Sequence, residues 1–171
     1  MKQTLVILRG APASGKTTIA ENLRDFDNKV VWLKTDNFKP FFSDQTGEAR
    51  ALDAVMEATL ATLKYLSDQG YSVVFEGIFI NPVYPRRAIE MAKNKNVHTV
   101  IYELECSLST LQDRDKNRKG VPEGLRKALG DDEIESLYKK VRENPIEGSI
   151  KLNTEEKSLE ECLLLIKDSF K

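Results

Sequence analysis

Apolar positions along this chain of 171 residues fall into two alternating patterns. One consists of short runs of β-formers with little alternation: Thr4-Leu5-Val6-Ile7-Leu8, Val30-Val31-Trp32-Leu33, Ser72-Val73-Val74-Phe75-Glu76, Val97 to Leu104, and Ser149-Ile150-Lys151-Leu152. Continuous apolar runs of this kind are expected of parallel strands covered on both faces. The other places apolar residues three and four apart, as on one face of a helix. Its longest example is Leu52, Val55, Met56, Leu60, Leu63 and Leu66, opening at Thr46 or Gly47 and closing at a C-cap on Gly70. Further helices are predicted from Gly15 to about Arg24, after Pro82 and Pro85, from an N-cap at Ser107 to about Arg118, from Asp131 to Val141, and after the capping box Ser158-Leu159-Glu160-Glu161. Five strands alternating with helices predict an α/β fold with a parallel sheet, right-handed crossovers and a single domain over residues 1–171.

The junction between the first strand and the first helix is Gly10-Ala11-Pro12-Ala13-Ser14-Gly15-Lys16-Thr17, followed by Thr18. Its spacing is G-x-x-x-x-G-K-[ST], the P-loop, in the strand, turn and helix context that the motif requires. Glycines at the two ends let successive backbone N–H groups point at one anion, and the positive end of the helix dipole adds to that field. Lys16 can reach the β- and γ-phosphates of a nucleoside triphosphate, and the Thr17 hydroxyl can ligate magnesium. Thr18 is a weaker candidate, near the α-phosphate.

Charge changes the picture by exclusion. With 26 basic and 27 acidic side chains the net charge is -1, so no global field recruits nucleic acid or a membrane. Cys106 and Cys162 match no metal spacing, so reduced thiols in a cytoplasmic protein are expected. No leader segment and no bilayer-length apolar stretch is read from the sequence, and no membrane partner is expected.

Phosphoryl transfer needs an aligned acceptor, a metal shell and cations on the transferring group. Asp36 follows the second strand, where ligands of open α/β sheets bind, and can take the acceptor proton; otherwise it caps a turn before Pro40. Glu76 ends the third strand and can support the magnesium shell with Thr17; otherwise it is an exposed strand-end acid. On sequence grounds the two carboxylates can exchange these roles. Lys39 and Arg86 are candidates for an anionic group of the acceptor, or else are solvated. Arg114 and Arg118 share a helical face and can form a lid, about residues 114–130, over the γ-phosphate; the alternative is a charged surface paired with Asp113 and Asp115. His98 and Trp32 read as structural.

The stretch Ile7-Leu8-Arg9-Gly10-Ala11-Pro12-Ala13-Ser14-Gly15-Lys16-Thr17-Thr18 resembles the opening of small bacterial kinases related to polynucleotide 5'-kinase, chloramphenicol phosphotransferase and zeta toxin. Asp36-Asn37-Phe38-Lys39 is similar to that group's acidic-x-aromatic-basic turn, Glu76-Gly77 to its zeta-like branch, and Arg114-x-x-x-Arg118 to its lid. The resemblance implies a three-layer P-loop NTPase fold with strand order 2-3-1-4-5 and a helical lid. It also implies ATP with magnesium, Asp36 as general base, and Asn153 and Thr154 beside the nucleotide base. Ala13 stands where many members have a third glycine and is tolerated if its backbone stays in a region open to L-residues. Lys39 for arginine and Glu76 for aspartate both point away from nucleic acid as acceptor. The expected activity is a phosphotransferase moving the γ-phosphate to a hydroxyl of a small-molecule or nucleotide-type acceptor. The alternatives are a polynucleotide 5'-hydroxyl kinase, a toxin-like kinase and an ATP-binding, slowly hydrolysing regulatory module.

Overall fold

Five parallel strands lie side by side in the order β2-β3-β1-β4-β5 in the computed structural model, which describes residues 1–42, 49–117 and 128–171. The strands are β1 (Thr4–Gly10), β2 (Val30–Lys34), β3 (Ser72–Gly77), β4 (His98–Glu105) and β5 (Ile150–Asn153). The helices are α1 (Lys16–Arg24), α2 (Ala49–Asp68), α3 (Val83–Lys93), α4 (Leu108–Lys116), α5 (Asp131–Glu143) and α6 (Leu159–Lys167). Strand order and class are as the patterning and the resemblance predict. Thr46 and Gly47, the expected start of α2, lie outside the described residues, as does Arg118 at the expected end of α4.

β1 is buried along its whole length because both of its faces are covered. Its alternate residues part to opposite sides, as the two-residue period of a strand requires. Leu5 and Ile7 pack with Leu60 and Leu63 of α2 and Ala88 and Ala92 of α3. Val6 and Leu8 pack with Ile19 and Leu23 of α1 and Cys162 and Ile166 of α6. Each of the leucine, isoleucine and valine side chains among them contributes roughly 1.5–3 kcal/mol on burial. A third cluster, Ala11, Cys106, Leu111 and Ile134, seats α4 and α5 beside the loop after β1.

Parallel pairing brings the carboxyl ends of all five strands to one edge. β1 lies between β3 and β4, where the direction of winding reverses, so the crevice of the sheet opens at Gly10. The segment after β2, read as a turn before Pro40, is a 3-10 helix, Thr35–Phe41.

One buried residue escaped the sequence reading. Arg9 of β1 is fully buried, paired with Glu103 of β4. Its Nε donates to the Phe79 carbonyl (3.2 Å) and its Nη2 to the carbonyls of Val141 (2.9 Å) and Asn144 (2.5 Å). Lys151 Nζ also donates to Glu103 (2.5 Å). A single side chain thus ties β1 to the end of α5 and to the turn after β3. Removing one member of a buried ion pair costs about 3–5 kcal/mol, so Arg9→Leu should destabilise the protein by that amount in urea unfolding. The double change Arg9→Leu with Glu103→Leu should lose less than the single one, and an equal or larger loss would count against this account.

Candidate active site

The loop from Gly10 to Thr17 is shaped by close approach. A Cβ on Gly10 (φ 155°) would lie 2.7 Å from the Leu104 carbonyl oxygen and 2.8 Å from Ser14 Oγ, so only glycine lets the chain leave β1 against β4. Gly15, at φ 92°, turns the chain into α1. The first bond of that turn runs from Ile19 N to the Gly15 carbonyl (3.0 Å). The N–H groups of Lys16, Thr17 and Thr18 come before it, at the positive end of the helix, and these residues line a cleft of about 1460 Å³. Lys16 is buried over the loop, its Nζ donating to the Ala11 carbonyl (2.7 Å) and to Ser14 Oγ (3.4 Å).

Glu76 is 2% exposed, which excludes the strand-end alternative. Thr17 Oγ1 donates to its Oε1 (2.7 Å) and the Trp32 indole Nε1 to its Oε2 (2.7 Å). Lys34 Nζ donates to Thr17 Oγ1 (3.2 Å) and stands 3.9 Å from Glu76 Oε1. Burial pushes the Glu76 carboxyl above the usual carboxylate range. The charge of Lys16 and the hydrogen bonds from Thr17 and Trp32 hold the rise back, and nearby Asp36 adds to it. Trp32 is therefore a positioning group as well as a packing one. It and Lys34 sit two apart on β2, on the face shared by Glu76, with Lys34 in register with Glu76. That pairing was the signal available, and it needs the strand order to be read.

Asp36 lines the same cleft from the 3-10 helix after β2, half-exposed, with Oδ1 2.8 Å from Lys39 Nζ. Arg114 also lines it, on its far wall, and is already engaged. Its Nη1 donates to Thr154 Oγ1 (3.1 Å) and its Nη2 to the Thr154 carbonyl (2.7 Å). Thr154 Oγ1 donates in turn to the Ser14 carbonyl (3.2 Å), so α4 is tied through β5 to the loop. Asp115, expected on a charged surface, is instead buried, and its Oδ2 accepts from Leu129 N (2.8 Å) and Gly130 N (3.1 Å). It ties α4 to the backbone immediately before α5. Arg118 lies outside the described residues. Arg86 is exposed on α3 and is not among the residues that line the cleft, and its neighbour Arg87 pairs with Glu57.

Residues 1–144 match the family model described as Zeta toxin. The chain belongs to the zeta toxin family. A search of curated proteins finds no match to it. Among solved structures, this zeta toxin family member is similar to a Chloroflexus aurantiacus J-10-fl protein provisionally assigned as a kinase, with 18% identity over the whole of both chains and a TM-score of 0.72. It is also similar to a Deinococcus radiodurans tunicamycin resistance protein, with 14% identity over 98% of this chain and 95% of that one, TM-score 0.69. A Sinorhizobium meliloti 1021 gluconokinase shares 13% identity over 98% and 90% of the two chains, TM-score 0.64. These likenesses show the fold, that of the P-loop kinases.

Within this zeta toxin family member, Ala13 has φ 64°, in the small left-handed region that an L-residue enters at a cost. Ala13→Gly should therefore stabilise the protein by roughly 0.5–1 kcal/mol in urea unfolding, and a loss of stability would contradict the strain. The raised Glu76 carboxyl makes a second prediction, for protein free of magnesium and nucleotide. Because the folded state holds that proton more tightly than the unfolded chain, its stabilising effect is complete below the ordinary value of 4.5 and is lost as pH rises through the raised value. The stability of wild type relative to Glu76→Gln should fall across that window, whereas a flat difference would contradict it.

Proposed function

We propose that the protein is an ATP- and magnesium-dependent phosphotransferase that moves the γ-phosphate to a hydroxyl of a small-molecule or nucleotide-type acceptor, within a single domain of residues 1–171. The observation that carries this reading is one cleft lined by Pro12, Ala13 and Gly15 to Thr18 of the loop and helix start, by Asp36 and by the buried Thr17–Glu76 pair. Hard oxygen donors 2.7 Å apart fit magnesium, and two protein ligands suit an ion that otherwise keeps water and phosphate oxygens. Thr17 and Glu76 would hold it there, where it supplies charge neutralisation to the phosphates.

Backbone N–H groups at the start of α1 bind the phosphates, and Lys16 leaves the Ala11 carbonyl to bond their oxygens. Trp32 and Lys34 keep Glu76 and Thr17 in place. The acceptor oxygen forms a bond to the γ-phosphorus as the bond to the β-bridging oxygen breaks; the hydroxyl proton passes to Asp36 and ADP leaves. Glu76 is buried under three neighbouring donors, which favours Asp36 for the proton. Arg114 orients Thr154 and Ser14 beside the nucleotide, and Arg118 remains a candidate for the γ-phosphate. Arg86, outside the cleft, serves a small acceptor poorly, and a polynucleotide 5'-hydroxyl kinase is the alternative that would use it. The two free cysteines suit the cytoplasm.

One observation favours a second reading. The Arg114–Thr154–Ser14 chain connects the loop to α4, so a nucleotide-binding module could signal through α4. The readings separate on Asp36→Asn. For a kinase, acceptor phosphorylation should fall about 100-fold or more while ATP affinity holds. Unchanged ATP turnover would favour the module.

A further inference from the structure

Beyond Asp36 the cleft changes character. Leu52, Val55 and Met56 present one face of α2, Ile78 and Ile80 follow β3, and Tyr84 comes from α3. The chain goes to some length to place the two isoleucines. Phe79 between them has φ 48°, a conformation that a bulky L-residue rarely adopts. Its ring turns into the core, 4.7 Å from the Phe75 ring and so close to Gly77 that a Cβ there would meet it at 2.7 Å. With Phe79 folded inward, Ile78 and Ile80 are left half-buried along the cleft.

The charges at this end are few and mostly spent. Among the described residues its cation is Lys39, already 2.8 Å from Asp36. Asp53 accepts from the Tyr84 hydroxyl. That hydrogen bond, with burial and the same charge adding to it and the Arg87 charge opposing it, pushes the Tyr84 phenol up to about 12, so it stays a neutral donor; among the described residues no ion pair reaches Asp53. Arg87 is held by Glu57, and Arg86 lies outside the cleft lining. Among the described residues, a polyanion brought here would meet apolar walls and more carboxylates than free cations.

We infer that the acceptor is a neutral or cationic alcohol with an apolar, aryl or branched body, seated between α2 and the Ile78–Ile80 turn with its hydroxyl at Asp36. This inference rests on the phosphotransferase reading and narrows it, setting aside nucleotide-type and nucleic-acid acceptors. Leu52, Met56 and Ile80 take the apolar body. Asp53 favours a cation.

The test is calorimetry on the full chain loaded with magnesium and a non-hydrolysable ATP analogue, with four probes. These are 3-phenylpropan-1-ol, the cationic aryl alcohol phenylalaninol, glycerol, and a 5'-hydroxyl oligothymidylate, with the small alcohols taken to about 10 mM. Burial of the aryl group should make the two aryl alcohols bind at least about tenfold more tightly than glycerol, with phenylalaninol the tighter and no heat from the oligonucleotide. Leu52→Asp, at an exposed position that leaves folding intact, should weaken 3-phenylpropan-1-ol about tenfold while ATP affinity stays within about twofold, and Met56→Gln should act in the same direction. Tighter binding of the oligonucleotide, no advantage of aryl alcohols over glycerol, or indifference to both substitutions would overturn the inference. ADP release from ATP is followed in parallel. Aryl alcohols that bind as expected but draw no ADP release would leave the pocket standing and defeat the phosphotransferase reading instead.

Discussion

Everything in the site is arranged around a stretch of main chain that presents N–H groups where a side chain would stand in the way. Gly10 has no room for a Cβ against the Leu104 carbonyl, and Gly15 turns the chain so that the dipole of α1 begins at Lys16. The sheet supplies the rest of the geometry. With β1 at the point of reversal, the ends of β2 and β3 deliver Asp36 and Glu76 to one side of the loop, and the end of β5 delivers Thr154 to the other.

The buried carboxylate shows how tightly this edge is organised. An ionised glutamate with almost no exposure is costly unless donors surround it. Here Trp32, Thr17 and Lys34 do so, and the arrangement holds the Thr17 hydroxyl in a fixed place as well. Arg9 and Arg114 follow the same logic elsewhere. Each could be taken for a ligand-binding cation, and each spends its guanidinium on main-chain carbonyls that join separate segments. Among the cations that line the cleft, Lys16 and Lys34 are both buried, with Lys16 bonded to the Ala11 carbonyl and Lys34 to the Thr17 hydroxyl.

Much of the architecture was legible because parallel strands covered on both faces must be continuously apolar, and the helices between them must be amphipathic. The loop was legible because its chemistry is carried by contiguous residues. What stayed hidden depends on pairs of elements. Lys34 reads as an ordinary strand-end lysine until β2 is placed beside β3, where it falls level with Glu76. Asp115 reads as half of a surface pair until α4 packs on α5 and its carboxylate meets Leu129 N and Gly130 N. Arg86 and Arg87 are adjacent in sequence, and only the packing of α3 on α2 shows that Arg87 is taken up by Glu57 while Arg86 is exposed and does not line the cleft. Ala13 shows the reverse limit: the motif tolerates alanine there, but the sequence does not reveal that its φ is positive.

The most direct test of this arrangement is a calorimetric titration of the purified protein with ATP in the presence of magnesium, repeated with Lys16→Ala. The arrangement predicts a single saturable binding event in the wild type, weakened at least about tenfold by the loss of the buried ammonium group. The absence of heat from either ATP or GTP, together with an unchanged response in Lys16→Ala, would contradict it.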